Sequence, residues 1–593
     1  MPNQLRDISS VDNDSYPYIF EQNVDVPIKT FDTGLIRVNV YRPKIDKPVP
    51  VLITCGPYGK DVPYADFNPA SYAEVNPKHK SAHAAWETPH PTFWTEHGYA
   101  IVRADERGLG QSPGVLNTFS RSSPEGFFDV VEWAAEQAWS SGKVGLIGIS
   151  YYACSQWRVA ALQPKGLAAI VPWEGMTDYY RDAARHGGIF SNKFIDFWWK
   201  RQVITNQYGR PGRKAASWGP DTVEGDLSPE ELAANRQVQH DDIAENKFRD
   251  DSYYKQEDYN LADVKVPLLS VANWGGISLH MRGNVIGYMN AGSELKYLRG
   301  IVGRHDLPFY EDQEVEVQRS FLDAFLKGED RVGWSEKGKV PPVDIVLRKG
   351  NPGFNKADAE QATFPRRVEN EWPIARTQYT KFFLTPDHGL DTKVPSPSDK
   401  VISYKAPGKV DDPRFVQFTT SPFEAETEIT GHIVAHLNVS STGISGAKPS
   451  DIDIFVTLRH FDPDGKEIFY TGTMGDPVPV VKGWLRVSLR KVDADHPMHK
   501  EYLPFRQYRG ADVQEVKPGE VYPVDVELWP TTVVVGAGSR LTLEVSSGDT
   551  QGAGIFDHEH PTDRPEETFA GINNVHFSDG HQNYVSMPII PSK

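Results

Sequence analysis

Between residues 20 and 180 short β-branched runs alternate with helix-patterned stretches, and beyond about residue 340 helices nearly vanish while strands continue. A chain with this change of pattern cannot be a single homogeneous fold. Alternation of strands with amphipathic helices requires crossover connections and a largely parallel sheet covered on both faces. Short strands separated only by turn residues close instead into a sandwich or barrel. The first pattern is read from GLIRVNVYRP, VPVLITCG, YAIVRADERG, KVGLIGIS and GLAAIVPW; in the helical run EGFFDVVEWAAEQAW, Phe127, Val130, Val131 and Ala134 recur at helical spacing. The second is read from VDIVLRKG, TKFFLTP, HIVAHLNVS, DIDIFVTLRHF, YPVDVELWP and RLTLEVSS.

Residues 181–262 break the alternation with an aromatic cluster (Phe190, Phe194, Phe197, Trp198, Trp199) and then a polar, acidic, helix-patterned stretch. At VKVPLLSVANW the strand pattern returns, and it continues through KYLRGIVG to the helical run EVEVQRSFLDAFLKG. The expected organisation is an α/β core in two parts, 20–180 and 263–335, a helical unit inserted at 181–262, and an all-β sandwich of jelly-roll type at 340–593. Three units suffice for 593 residues, because large folds exceed the usual ~150 residues per domain.

Composition serves mainly to exclude. An aromatic content of 11% is too much core material for a disordered chain. A formal charge of −17 with no basic block argues against nucleic acid as a partner. The N-terminal MPNQLRDISSVDNDSYPYIF lacks the basic and apolar regions of a signal peptide, and no apolar window is long enough to span a membrane, so a cytoplasmic protein without membrane contact is expected. Two cysteines, Cys55 and Cys154, in apolar surroundings rule out a disulfide framework and read as buried thiols. Asn438-Val439-Ser440 lies in a strand-like run and carries no weight as a glycosylation site. Asp462-Pro463-Asp464-Gly465 reads as a hairpin turn and His558-Glu559-His560 as a polar loop, so no metal and no cofactor is expected.

One junction carries chemistry. KVGLIGIS runs straight into Gly148-Ile149-Ser150-Tyr151-Tyr152 and then a helical pattern, which gives strand, sharp turn, serine and helix. Such an elbow exposes a serine Oγ at the carboxyl edge of the sheet and needs small residues beside it. Gly148 and Ala153 suit that need, although Tyr152 stands where a second glycine is usual. A serine hydroxyl needs a base to become a nucleophile. In this fold the base follows the last strand, where KYLRGIVGRHDLPFY supplies His305. The orienting carboxylate normally follows the preceding strand, but PLLSVANW is followed by Gly275-Gly276. Glu174, one strand after the serine, is the foremost candidate, with Asp178 and Asp306 behind it. For the oxyanion, the Tyr151 N–H and the Tyr58 hydroxyl in Gly56-Pro57-Tyr58-Gly59-Lys60 are the expected donors. Phe190, Phe194, Trp198 and Trp199 are equally readable as lining an apolar substrate pocket or as core.

These segments, with DERGLGQS at 105–112, LHMRGN at 279–284, FLDAFLKG at 321–328, KGWLRVSLR and LWPTTVVVGAGSRLTLEVSS, resemble the cocaine esterase, glutaryl-acylase and X-Pro dipeptidyl-peptidase family of α/β-hydrolases (the CocE/NonD type) over nearly the whole chain. The resemblance implies an α/β-hydrolase core, a helical cap inserted after the sixth strand, a C-terminal jelly roll, and acyl transfer through Ser150, His305 and Tyr58. The family usually reads Trp-x-Asp where this chain has Trp274-Gly275-Gly276, so Glu174 is a relocated partner and not a transferred one. The expected activity is hydrolysis of an ester-type bond in a small-molecule acyl substrate. An X-Pro dipeptidyl-peptidase, an amidase or an acyltransferase on the same scaffold is the alternative, and a catalytically silent binding scaffold is the reading from another class. A homo-oligomer is left open.

Overall fold

The structure is a computed structural model that describes residues 5–591 except 257, 397, 445 and 579. The last two residues of the expected β unit, 592 and 593, lie outside the described residues. The core is one 11-stranded sheet. In chain order its strands are β1 (Ser10–Asp12), β2 (Tyr18–Ile28), β3 (Gly34–Pro43), β4 (Val49–Gly56), β5 (Ala100–Asp105), β6 (Ser140–Ile149) and β7 (Leu167–Trp173). They are followed by β8 (Leu268–Asn273), β9 (Lys296–Ile301), β10 (Val343–Val346) and β11 (Arg366–Glu369). The spatial order is β1-β2-β3-β5-β4-β6-β7-β8-β9-β10-β11. From β5 to β10 every neighbour is parallel, and antiparallel pairs close both flanks. The central strands β4 and β5 are buried at every position, as a parallel sheet covered on both faces demands.

Two features depart from the sequence reading. The sheet begins at Ser10, not near residue 20, because β1 and β2 form an antiparallel hairpin on its edge. VDIV, read as the first strand of the sandwich, instead extends the core: Leu298 pairs with Val343 in parallel. An apolar strand looks the same in either sheet, and pairing alone decides its membership.

Helix α1 (Ser122–Glu136) buries Phe127, Val130, Val131 and Ala134 against one face of the sheet, and α2 (Tyr151–Ala161) follows β6 directly. The insertion between β7 and β8 is built of short helical pieces, among them α3 (Asn192–Trp198). The C-terminal unit is a 12-stranded, mostly antiparallel sheet wrapped around its own core, whose longest strands, Thr427–Thr442 and Tyr522–Val535, pair with each other. No helix among the described residues is long and apolar enough to cross a membrane.

The β unit is part of the architecture around the site. Arg185 of the insertion pairs with Asp563 at 2.6 Å, and Arg486 of the β unit reaches the same carboxylate at 3.0 Å. The Thr473 carbonyl accepts the His305 N–H at 3.0 Å. Thr471 explains Gly275: a Cβ there would lie 1.8 Å from the Thr471 carbonyl oxygen, so only glycine lets the two backbones meet.

Candidate active site

All the candidate groups sit at the carboxyl edge of the parallel strands, where such sheets gather reactive residues. Ser150 lies between β6 and α2 at φ 60° and ψ −120°, the strained geometry of a nucleophile elbow. Crowding accounts for the neighbouring glycine: a Cβ on Gly148 would stand 2.7 Å from the Cβ of Tyr152. Tyr152 is tolerated at the usual glycine position because Gly148 gives it room. The Ser150 N–H donates to the carbonyls of Trp173 and Glu174, both at 3.1 Å, which ties the elbow to the end of β7.

Glu174 follows β7 directly, in the left-handed region at φ 47°, its N–H held by the Val271 carbonyl at 2.9 Å. Its Oε2 lies 2.8 Å from His305 Nδ1, and its Oε1 accepts from Asn273 Nδ2 at 3.1 Å. A Cβ built on Gly276 would stand 3.6 Å from Glu174 Oε2, so this carboxylate occupies the space that an acid at 276 would reach. The other two candidates are engaged elsewhere. Asp178 pairs with Arg181 and with Arg249, and Asp306 accepts from Tyr64 at 2.5 Å and from Ser71.

Two residues at the site were not singled out from sequence. Glu87 places Oε1 3.1 Å from His305 Nε2, so the imidazole bridges two carboxylates. Like Ser150 and Glu174, Glu87 is a non-glycine residue at positive φ (61°), and its carbonyl accepts the Ile149 N–H at 3.1 Å, just before the nucleophile. His280 places Nε2 3.1 Å from Ser150 Oγ, and its ring stacks on that of His305 with centroids 5.2 Å apart. Thus Ser150 is hydrogen-bonded to His280, and the His305–Glu174 pair stacks on that histidine with Nε2 on Glu87.

Burial sets the charges. It would by itself lower the His305 pKa, but the carboxylates of Glu174 and Glu87 outweigh it and hold the imidazolium well above the usual histidine range. Burial pushes Glu87 up to about 7, against the pull of His305, and also raises Glu174. His280, buried beside the His305 cation, is driven well below the ordinary histidine value and stays neutral. Burial raises Tyr58, keeping its hydroxyl protonated. That hydroxyl accepts the Trp198 Nε1–H at 3.0 Å, which leaves its own hydrogen free, and it lies within hydrogen-bonding reach of Ser150. The Tyr151 hydroxyl is committed to Glu106 at 2.7 Å, so only its backbone N–H, first in α2 and without a carbonyl one turn back, is available to the site.

Residues 32–304 match the family model of the X-Pro dipeptidyl-peptidase (S15 family), and residues 336–586 that of the X-Pro dipeptidyl-peptidase C-terminal non-catalytic domain. Cocaine esterase from Rhodococcus sp. (strain MB1 Bresler) is 25% identical, over 97% of this chain and 99% of its own. A CocE/NonD family hydrolase from Staphylococcus aureus superposes with a TM-score of 0.80 at 27% identity, covering 97% of this chain and 94% of that one. The chain belongs to the cocaine esterase and X-Pro dipeptidyl-peptidase family of α/β-hydrolases. An α-amino acid ester hydrolase, 18% identical with a TM-score of 0.67, shares the fold over 98% of both chains.

As a member of this family the chain is a serine hydrolase, and side chains of the insertion between β7 and β8 stand beside Ser150. A cavity of about 20 Å³ opens beside Ser150, lined in part by Phe194, Trp198, Phe119 and Tyr179. One water needs ~10–15 Å³, so the cavity as it stands has room for little more than one. Phe190 and Trp199, readable from sequence either as pocket or as core, do not line this cavity. The Phe190 ring packs on His240, His560 and the Arg185 guanidinium, at the seam with the β unit, and Trp199 is buried in the core. Helical spacing identifies a buried stripe without saying which cavity it faces. A larger cavity, about 420 Å³, lies between Arg304, Leu307 and Thr471 and does not include Ser150. His558 engages Asp549 at 3.0 Å and His186 at 2.8 Å, and both cysteines are buried, free thiols.

Proposed function

We propose that this chain hydrolyses carboxylic esters of uncharged, apolar small molecules through an acyl-enzyme on Ser150. His305 acts as the base, Glu174 as its orienting carboxylate, and Tyr58 with the Tyr151 N–H as oxyanion donors. The observation that carries the reading is the 2.8 Å Glu174–His305 pair in the space left by Gly276, beside a serine on a strained elbow.

In the catalytic cycle His305, made neutral when its Nε2 proton passes to the Glu87 carboxylate 3.1 Å away, turns that nitrogen to Ser150 and takes the serine's proton. Oγ adds to the ester carbonyl, the alcohol departs with the proton carried by His305, and water then repeats the sequence on the acyl-enzyme. Glu174 stabilises the imidazolium formed at each transfer. The Tyr58 hydroxyl and the Tyr151 amide are fixed before the reaction and aimed where oxyanion charge develops, which is the arrangement that lowers such barriers most.

The substrate class follows from the walls. None of the residues lining the cavity beside Ser150 is an aspartate or glutamate, so no carboxylate waits there for a free amino terminus. Aromatic and aliphatic walls favour an uncharged acyl or alcohol group. Parallel assays on aryl and alkyl esters and on aminoacyl-prolyl anilides test this. Faster turnover of the esters is expected; preference for the anilides would replace the esterase reading with the dipeptidyl-peptidase one.

A further inference from the structure

His280 has no part in the cycle just described, yet it touches the reacting atom. It follows the loop after β8 at the start of α4 (Met281–Asn290), with Nε2 3.1 Å from Ser150 Oγ. Its Nδ1 accepts the Met176 N–H at 3.3 Å. A backbone N–H can only donate, so Nδ1 carries a lone pair, and in a neutral ring the proton then sits on Nε2. The bond to Ser150 therefore runs from Nε2–H to Oγ. In this tautomer the ring cannot take the serine's proton.

We infer that His280 is a catalytic residue of deacylation, a neutral donor that hydrogen-bonds to Ser150 Oγ as that oxygen leaves the acyl group. The inference rests on Ser150 being the nucleophile. Water adds to the acyl carbonyl and passes a proton to His305. The C–Oγ bond then breaks, Oγ takes the electron pair and receives that proton from His305, and the Nε2–H proton stays on His280 throughout. The donor matters more here than in acylation. In the free enzyme Oγ is a hydroxyl oxygen that already accepts this bond, so its attack gains little. In the acyl-enzyme Oγ is an ester oxygen, a poor acceptor, and the bond strengthens as charge returns to it. Only interactions that strengthen between ground state and transition state accelerate a step.

The test is pre-steady-state turnover of a nitrophenyl ester by the wild type, His280→Phe and His280→Gln, with fluorophosphonate labelling of Ser150 recorded for each. Phe removes the donor; Gln keeps an amide N–H. His280→Phe is expected to label and to release about one equivalent of nitrophenol in a burst. It then turns over about 10²-fold more slowly, the usual loss for one such donor. His280→Gln is expected to recover most of the rate. Should Phe not be accommodated, His280→Met, also without a donor, gives the same reading. A donor-free variant whose acylation falls as far as its turnover, with no burst, would overturn the inference, as would a Gln variant no faster than Phe. Loss of labelling in His280→Gln with retained folding would make His280 the base instead. Absence of labelling in the wild type would remove the nucleophile itself, and the inference with it.

Discussion

Replacing Glu174 with glutamine removes one charge at nearly constant shape. With the carboxylate oxygen 2.8 Å from His305 Nδ1, the centres of the two charges lie about 4 Å apart. At an effective dielectric of about 20 that attraction is about 4 kcal/mol. Above its raised pKa His305 is neutral at rest and becomes a cation only on taking a proton from serine or water, so at such pH this energy belongs to the transition state and its loss appears as rate. At about 1.4 kcal/mol per decade, kcat/KM for an aryl ester should fall roughly 10³-fold. The second arm restores an acid where the family has one. A Cβ on residue 276 would stand 3.1 Å from the Asn273 carbonyl and 3.6 Å from Glu174 Oε2, tight but open toward His305's partner. Glu174→Gln with Gly276→Asp should therefore regain at least about tenfold over the single variant, within the few kcal/mol that a buried charge pair is worth. Ester hydrolysis at saturating and limiting substrate gives both constants. A single variant within tenfold of the wild type would refute the assignment, since His305 would then need no support from Glu174.

Other perturbations separate the remaining groups. Glu87 adds a second negative charge to His305 and helps hold its pKa well above the usual histidine range. A base must be neutral to act, so activity rises with pH through that pKa. Removing one of the raising charges in Glu87→Gln should move the acid limb of the pH–rate profile to lower pH; an unmoved limb would show that Glu87 does not face the working base. Tyr58→Phe deletes an oxyanion donor and should cut kcat about 10²- to 10³-fold with little change in KM, read from steady-state kinetics. Trp198→Ala enlarges the cavity beside Ser150 and should change KM across an ester series. Phe190→Ala removes core packing against the β unit and should lower thermal stability, by about 3–5 kcal/mol, while leaving KM unchanged.

How far the site could be read in advance depended on whether its geometry is local or assembled. Ser150 was legible because strand, turn and helix are consecutive, and His305 because chain order places the base after the last core strand of the sequence reading. Glu174 emerged by elimination, once Gly275-Gly276 left the usual position without an acid. The structure supplies the missing reason for the first of those glycines: the Thr471 carbonyl packs where a side chain at 275 would be. Glu87 was not legible, because it comes from a loop between β4 and β5 with no periodicity and meets His305 only through the fold. His280 looked like an ordinary helical histidine; its position just after the glycines was the one signal available. The misassigned VDIV strand and the two readings left open for Phe190 and Trp199 share one cause. Hydrophobic pattern reports burial, and burial does not name the neighbour.

The central claim is that Ser150 becomes acylated. Intact-mass measurement and peptide mapping after treatment with a fluorophosphonate, or with a slowly hydrolysed aryl ester, tests it most directly. One added group on the peptide that contains Ser150, absent from Ser150→Ala and accompanied by loss of esterase activity, is the predicted result. Undiminished hydrolysis by Ser150→Ala, or a modified wild type with Ser150 untouched, would contradict the account.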